Sequence, residues 1–104
     1  MTDPQRTIAA LIERFPQCFS ADAPRPLAIG IFHDLRRAEP KLDADDLSAA
    51  LAAYVRTDDY LIATAAKNAA RVGLSGDPVA AVNKEDAAHA RQLLDERRGR
   101  RRAR

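Results

Sequence analysis

The sequence predicts a mainly α-helical α+β domain, built from about five helices and one small β-hairpin. Three observations carry that prediction. Apolar residues recur at helical spacing through most of the chain, as in Ile8, Leu11, Ile12 and Phe15. Alanine supplies 22 of the 104 residues, which favours helix and lets helices approach closely. Between residues 71 and 82 the pattern changes: Val72 and Leu74 alternate, Ser75-Gly76-Asp77 reads as a turn, and Val79 and Val82 follow. The length corresponds to a single domain.

The elements follow in order. Thr2 or Asp3 can cap the first helix, and Pro4 suits its first position, where a missing N–H costs nothing. Pro16 stops that helix, because the residue before a proline avoids the helical region. Residues 21–26 read as loop, with Pro24 and Pro26 on either side of Arg25. A second helix is expected over residues 29–37, ended by Glu39-Pro40. Asp43 can cap a third helix, with Leu47, Leu51 and Tyr54 facing inward. Thr57 can cap a fourth, and Asp58 and Asp59 suit the positive end of its dipole. Pro78 is tolerated near the start of a hairpin strand. Asn83 can cap the last helix, with Asp86 as a capping-box partner. Gly99 is expected to fray that helix into an arginine-rich end.

Charge is distributed unevenly. Residues 97–104 hold six Arg and no acid, whereas residues 1–96 hold 11 bases and 15 acids, a balance of −4. The sequence thus divides into a body, residues 1–96, and a basic tail, residues 97–104. No run is long enough to span a bilayer, and the N-terminus lacks a charged start followed by an apolar stretch. One cysteine cannot form an internal disulfide, which fits a reducing cytoplasm.

Nothing points to catalysis or to a cofactor. His33 and His89 lie far apart, with no cysteine or carboxylate at metal-ligand spacing. Cys18, between Phe15 and Phe19, reads as a buried and inert thiol. The Asp43-Asp45-Asp46 and Asp58-Asp59 groups read as caps and solvated faces. The arginine-rich end has a bland reading, as a solubilising terminus, and a functional one, as a phosphate binder. Its charge exceeds what helix capping needs, which favours nucleic acid, although such a tail alone binds without specificity.

A more specific pointer lies in residues 13–35, where Arg14-Phe15-Pro16 and Cys18-Phe19 precede Arg25-Pro26-Leu27 and Ile29-Gly30-Ile31-Phe32. Downstream come Ala50-Leu51 with Tyr54, Tyr60-Leu61, Arg71-Val72-x-Leu74-x-Gly76-x-Pro78 and Ala88-His89-Ala90-Arg91. In order and spacing this set resembles the ProQ/FinO family of bacterial RNA-binding proteins, over nearly the whole chain. The resemblance implies a compact domain that binds structured RNA, typically the base of a hairpin and its 3′ single-stranded tail. It implies an RNA chaperone, or a partner of small regulatory RNAs and messenger 3′ ends, without a membrane or small-molecule substrate. A cytoplasmic monomer is expected.

The family's pocket tyrosine and arginine fall on Tyr60 and Arg71, and the Arg25 loop and the start of the fourth helix border the same pocket. Lys41, Arg56 and Lys67, with Arg97, Arg98, Arg100, Arg101 and Arg102 of the tail, complete the candidate RNA-binding set. The sequence also departs from the family. Ala28, Ala44, Ser48 and Ala52 stand where relatives carry bases, and Asp59 replaces a base just before the tyrosine. These departures keep a second reading open: a protein-interaction domain that retains the fold but has lost specific RNA binding.

Overall fold

The computed structural model describes residues 3–102. The chain forms α1 (Pro4–Arg14), α2 (Ile31–Ala38), α3 (Ala44–Tyr54), α4 (Asp58–Ala65), β1 (Ala70–Val72), β2 (Pro78–Ala81) and α5 (Lys84–Arg102). The caps act as the sequence predicts. Asp3, Asp43, Thr57 and Asn83 each accept a backbone N–H of the helix that follows, from Gln5, Asp46, Tyr60 and Asp86 respectively. Pro4 occupies the first turn of α1. The alternative cap, Thr2, lies outside the described residues.

The long segment between α1 and α2 is anchored on the hairpin. Leu27 bridges Val72 in parallel, Ala28 N–H donates to Val72 O, and Val72 N–H donates to Pro26 O. The loop thus runs beside β1 as a short third ribbon. β1 and β2 pair antiparallel with an irregularity between Arg71 and Val72. Gly76 closes the hairpin at φ 86°, and a Cβ there would sit 2.6 Å from Gln17 O. Only glycine satisfies both the positive φ and the close approach.

Two apolar clusters build the interior. The larger joins α1, the loop, α2 and α3 around Leu11, Phe19, Leu35 and Leu47. Each of these buried side chains contributes about 1.5–3 kcal/mol relative to exposure. Phe19, Tyr54 and Tyr60 stack edge to face through it, at 5.2 and 5.7 Å between ring centroids. The smaller cluster, Leu61 with Ala90 and Leu94, fastens α4 to α5. Adjacent residues of α4 therefore serve different clusters: Tyr60 enters the main core and Leu61 holds the last helix.

Three expectations need correction. α2 begins at Ile31, two residues later than expected, because Gly30 takes φ 88° and acts as its N-cap. Ile29 is consequently 82% exposed and packs in neither cluster. Leu51 is half-buried, on the margin of the core, since Leu47, Ala50 and Tyr54 already form the inward stripe of α3. Gly99 does not end α5, which continues to Arg102. Glycine costs a helix about 1 kcal/mol, but Arg97 and Arg101, one turn apart, both bind Asp58 of α4 and hold this stretch in place.

Candidate nucleic-acid interface

α4 and α5 pack along Leu61, Ala90 and Leu94 and leave a cleft of about 310 Å³ beside that contact. Leu61, Ala90 and Leu93 contribute its apolar part. Arg56, Tyr60, Arg71, His89 and Arg97 also line it, with Asp86 as the carboxylate among them. Four of the candidate residues thus meet in one place, delivered by the α3–α4 turn, α4, β1 and α5.

Tyr60 and Arg71 fix this side of the cleft through one backbone residue. The Tyr60 hydroxyl accepts the Leu27 N–H at 2.9 Å, and Arg71 Nη1 donates to the Leu27 carbonyl at 2.9 Å. Tyr60 is therefore both a core residue and a wall of the cleft. Among the described residues its own O–H proton has no acceptor. Arg71 Nη2 also pairs with Asp86 Oδ2 at 2.7 Å. The capping-box expectation for Asp86 is thus half met. Its N–H is capped by Asn83, but its carboxylate turns to Arg71. With five N–H donors and two such bonds, the guanidinium keeps donors for a further acceptor.

Asp58 clasps Arg97, which lines the cleft, together with Arg101. Its Oδ1 accepts from Arg97 Nη1 and its Oδ2 from Arg101 Nη2, each at 2.6 Å. Arg97 first, and then Arg101, hold this carboxyl below the usual aspartate range. Asp58 and Asp59 sit in the first turn of α4 and offset the positive end of its dipole. The basic groups of the cleft are Arg56, Arg71 and Arg97, of which Arg71 is paired with Asp86 and Arg97 with Asp58. Among the described residues Arg56 forms no ion pair.

The other candidates lie elsewhere. Arg25 donates to Gly76 O at 3.2 Å and to Gln17 O, tying the hairpin turn to the chain after α1. Lys41 is exposed in the turn before α3. Lys67 borders a different groove, formed by the end of α4, the hairpin and the start of α5. Arg98, Arg100, Arg101 and Arg102 lie exposed along the last turns of α5.

The sequence reading missed Asp58 as a clasp, Asp86 as the partner of Arg71 and His89 as a lining residue. On α5 a signal existed: Asp86, His89, Ala90, Leu93 and Arg97 follow the spacing of one helix face. Cys18 is buried, and burial raises its thiol to about 11, in keeping with an inert side chain. His33 stands edge-on to Phe32 at 5.4 Å. No group of three or more His, Cys, Asp or Glu among the described residues is placed to hold a metal ion. No helix among them is long and apolar enough to cross a membrane.

The model of the ProQ/FinO family matches residues 1–104. This chain belongs to the ProQ/FinO family. Among solved structures, it is similar to a ProQ homolog from Legionella pneumophila, at TM-score 0.76 and 35% identity, over 94% of this chain and 85% of that one. It is also similar to a FinO-like RNA chaperone from Neisseria meningitidis, at TM-score 0.69 and 27% identity, over 85% and 89% of the two chains. Both likenesses span most of this chain.

Proposed function

We propose that this protein binds structured RNA through the α4–α5 cleft, and that it acts as an RNA chaperone or post-transcriptional regulator. The preferred ligand is the base of a hairpin with a 3′ single-stranded tail, as found on small regulatory RNAs and messenger 3′ ends. Membership of the ProQ/FinO family supports this reading, as does the likeness to a FinO-like RNA chaperone. The single observation that carries it is the gathering of Arg56, Arg71 and Arg97 with Tyr60 around an apolar floor.

That arrangement suits a nucleotide at a chain end. The cleft lies at the small end of small-ligand sites. Leu61, Ala90 and Leu93 offer a surface on which one base or sugar can rest, and the arginines bring charge to its phosphate. The Tyr60 hydroxyl, which accepts the Leu27 N–H, still has its own proton to donate to a phosphate or sugar oxygen that reaches it. A single-stranded end, whose bases can be unstacked and splayed out, fits such a cleft better than a duplex does.

Binding of a hairpin with a 3′ tail, compared with an unstructured RNA of equal length, tests the proposal. Charged hydrogen bonds contribute about 1.5–3 kcal/mol, so Arg56→Ala should weaken the hairpin complex about tenfold or more. The unstructured RNA should lose less. Failure of the whole chain to bind the hairpin even at low salt overturns the reading and leaves a protein-interaction domain of the same fold. The neutralisation of Arg71 by Asp86, and of Arg97 by Asp58, is the feature that would produce that outcome.

A further inference from the structure

A second, shallow groove lies between the end of α4, the hairpin and the start of α5. Its lining contains Lys67, Lys84 and Arg91 and no carboxylate. That is unexpected in a body whose residues 1–96 carry more acids than bases. Much of the remaining lining is alanine, including Ala66, Ala80 and Ala87. Methyl groups let a bulky backbone approach closely and offer nothing to the edge of a base.

The cations are differently prepared. Lys67 and Lys84 are exposed and form no ion pair among the described residues. Arg91 Nη2 donates to Ala65 O at 3.1 Å, which fixes its guanidinium against the end of α4. Asn68, at φ 60°, turns the chain sharply between α4 and β1, so that Lys67 stands on the rim. On α5, the groove uses Lys84, Ala87 and Arg91, whereas the cleft uses Asp86, Ala90, Leu93 and Arg97. At 3.6 residues per turn these faces are about 130° apart around the helix axis.

We propose that this groove is a second RNA site, which grips the phosphodiester backbone of another RNA segment while the cleft holds a 3′ end. The inference rests on the RNA reading of the cleft. Lysines act as point charges for phosphates, and a floor that is mostly alanine, with Asn68 as its one uncharged polar side chain, carries little hydrogen-bonding code, so the groove binds with little regard to sequence. Two faces of one helix would then hold two strands at once, the requirement for bringing complementary RNAs together.

The full chain carrying Lys67→Gln and Lys84→Gln tests this with two probes: a blunt RNA duplex, and a hairpin with a 3′ single-stranded extension. Duplex affinity should fall roughly fivefold or more, and its log–log salt slope should flatten by about 1.8, the signature of two lost phosphate contacts. Hairpin affinity should shift less than the duplex, and annealing of two complementary strands should slow. Arg56→Ala should show the reverse pattern. Unchanged duplex binding overturns the proposal. So does an equal loss on both probes, which would make groove and cleft one site. Loss of polyglutamate binding with duplex binding intact would assign the groove to an acidic protein and overturn it too. If Arg56→Ala leaves the hairpin bound while the lysine variant loses the duplex, the cleft reading fails and the groove stands.

Discussion

Asp58 shows how one carboxylate governs charge beside the proposed binding face. Its two oxygens each take a different arginine of α5, and both pairs are lost together in Asp58→Asn. Releasing Arg97 and Arg101 should tighten RNA binding and steepen its salt slope by about 1.8, as two guanidinium groups become available to phosphate. Asp59→Asn removes the same charge without touching either arginine, and should produce a smaller effect. Titration of the clasp has a definite sign. The arginines depress the Asp58 carboxyl, so the contact contributes above the ordinary aspartate pKa of about 3.9 and is lost only as pH falls through the lowered value. Arginine side-chain NMR signals should therefore stay constant from neutral to mildly acid pH and change in strong acid. Tyr60 carries a different burden. Tyr60→Phe keeps the ring against Tyr54 but strands the buried Leu27 N–H, and should cost about 1–3 kcal/mol in denaturant unfolding. Tyr60→Ala also empties the core and should cost about 3–5 kcal/mol. A neutral Tyr60→Phe would show that the hydroxyl does not support the loop.

Among the elements, α5 combines the least apolar sequence with the largest role in the cleft. Gly99 lies within it, and a Cβ there would meet nothing within 4 Å. Gly99→Ala should therefore raise helicity by circular dichroism and stabilise the helix by about 1 kcal/mol. Gly76→Ala should do the opposite, because its backbone is left-handed and its Cβ would strike Gln17 O. Local rules made much of this architecture legible. Asp3-Pro4, Asp43, Thr57 and Asn83 declare helix starts through side-chain chemistry that acts over three residues. Ser75-Gly76-Asp77 declares the hairpin for the same reason. Ile29 misled because an apolar residue beside Gly30 looks like the first turn of a helix until the glycine adopts positive φ. Gly99 misled because its helix is held by Asp58, a partner 39 residues from Arg97 in sequence. Contacts of that range are set by tertiary packing and leave no local pattern. Tyr60 and Arg71 were traceable through the family resemblance, whereas their joint hold on Leu27 needed the fold.

At the scale of the molecule, an acidic body must attract a polyanion through a few basic places. Residues 97–104 bring six arginines, and those among the described residues are placed differently. Arg97 lines the cleft, Arg101 shares Asp58 with it, and Arg98, Arg100 and Arg102 lie exposed beyond. On the proposed function, specific and nonspecific binding divide within α5. A chain ending after Arg98 keeps Arg97 and the Leu61–Ala90–Leu94 cluster but sheds the outer charges. It should bind all RNAs more weakly, with a flatter salt dependence, while still preferring the hairpin with a 3′ tail. A chain ending after Glu96 also loses Arg97, and should surrender part of that preference as well. Equilibrium titrations of both chains against hairpin and unstructured RNA, at several salt concentrations, separate the two contributions. If the two truncations lose preference equally, Arg97 does not discriminate between RNAs, and the cleft selects its ligand through Arg56, Tyr60 and Arg71 alone.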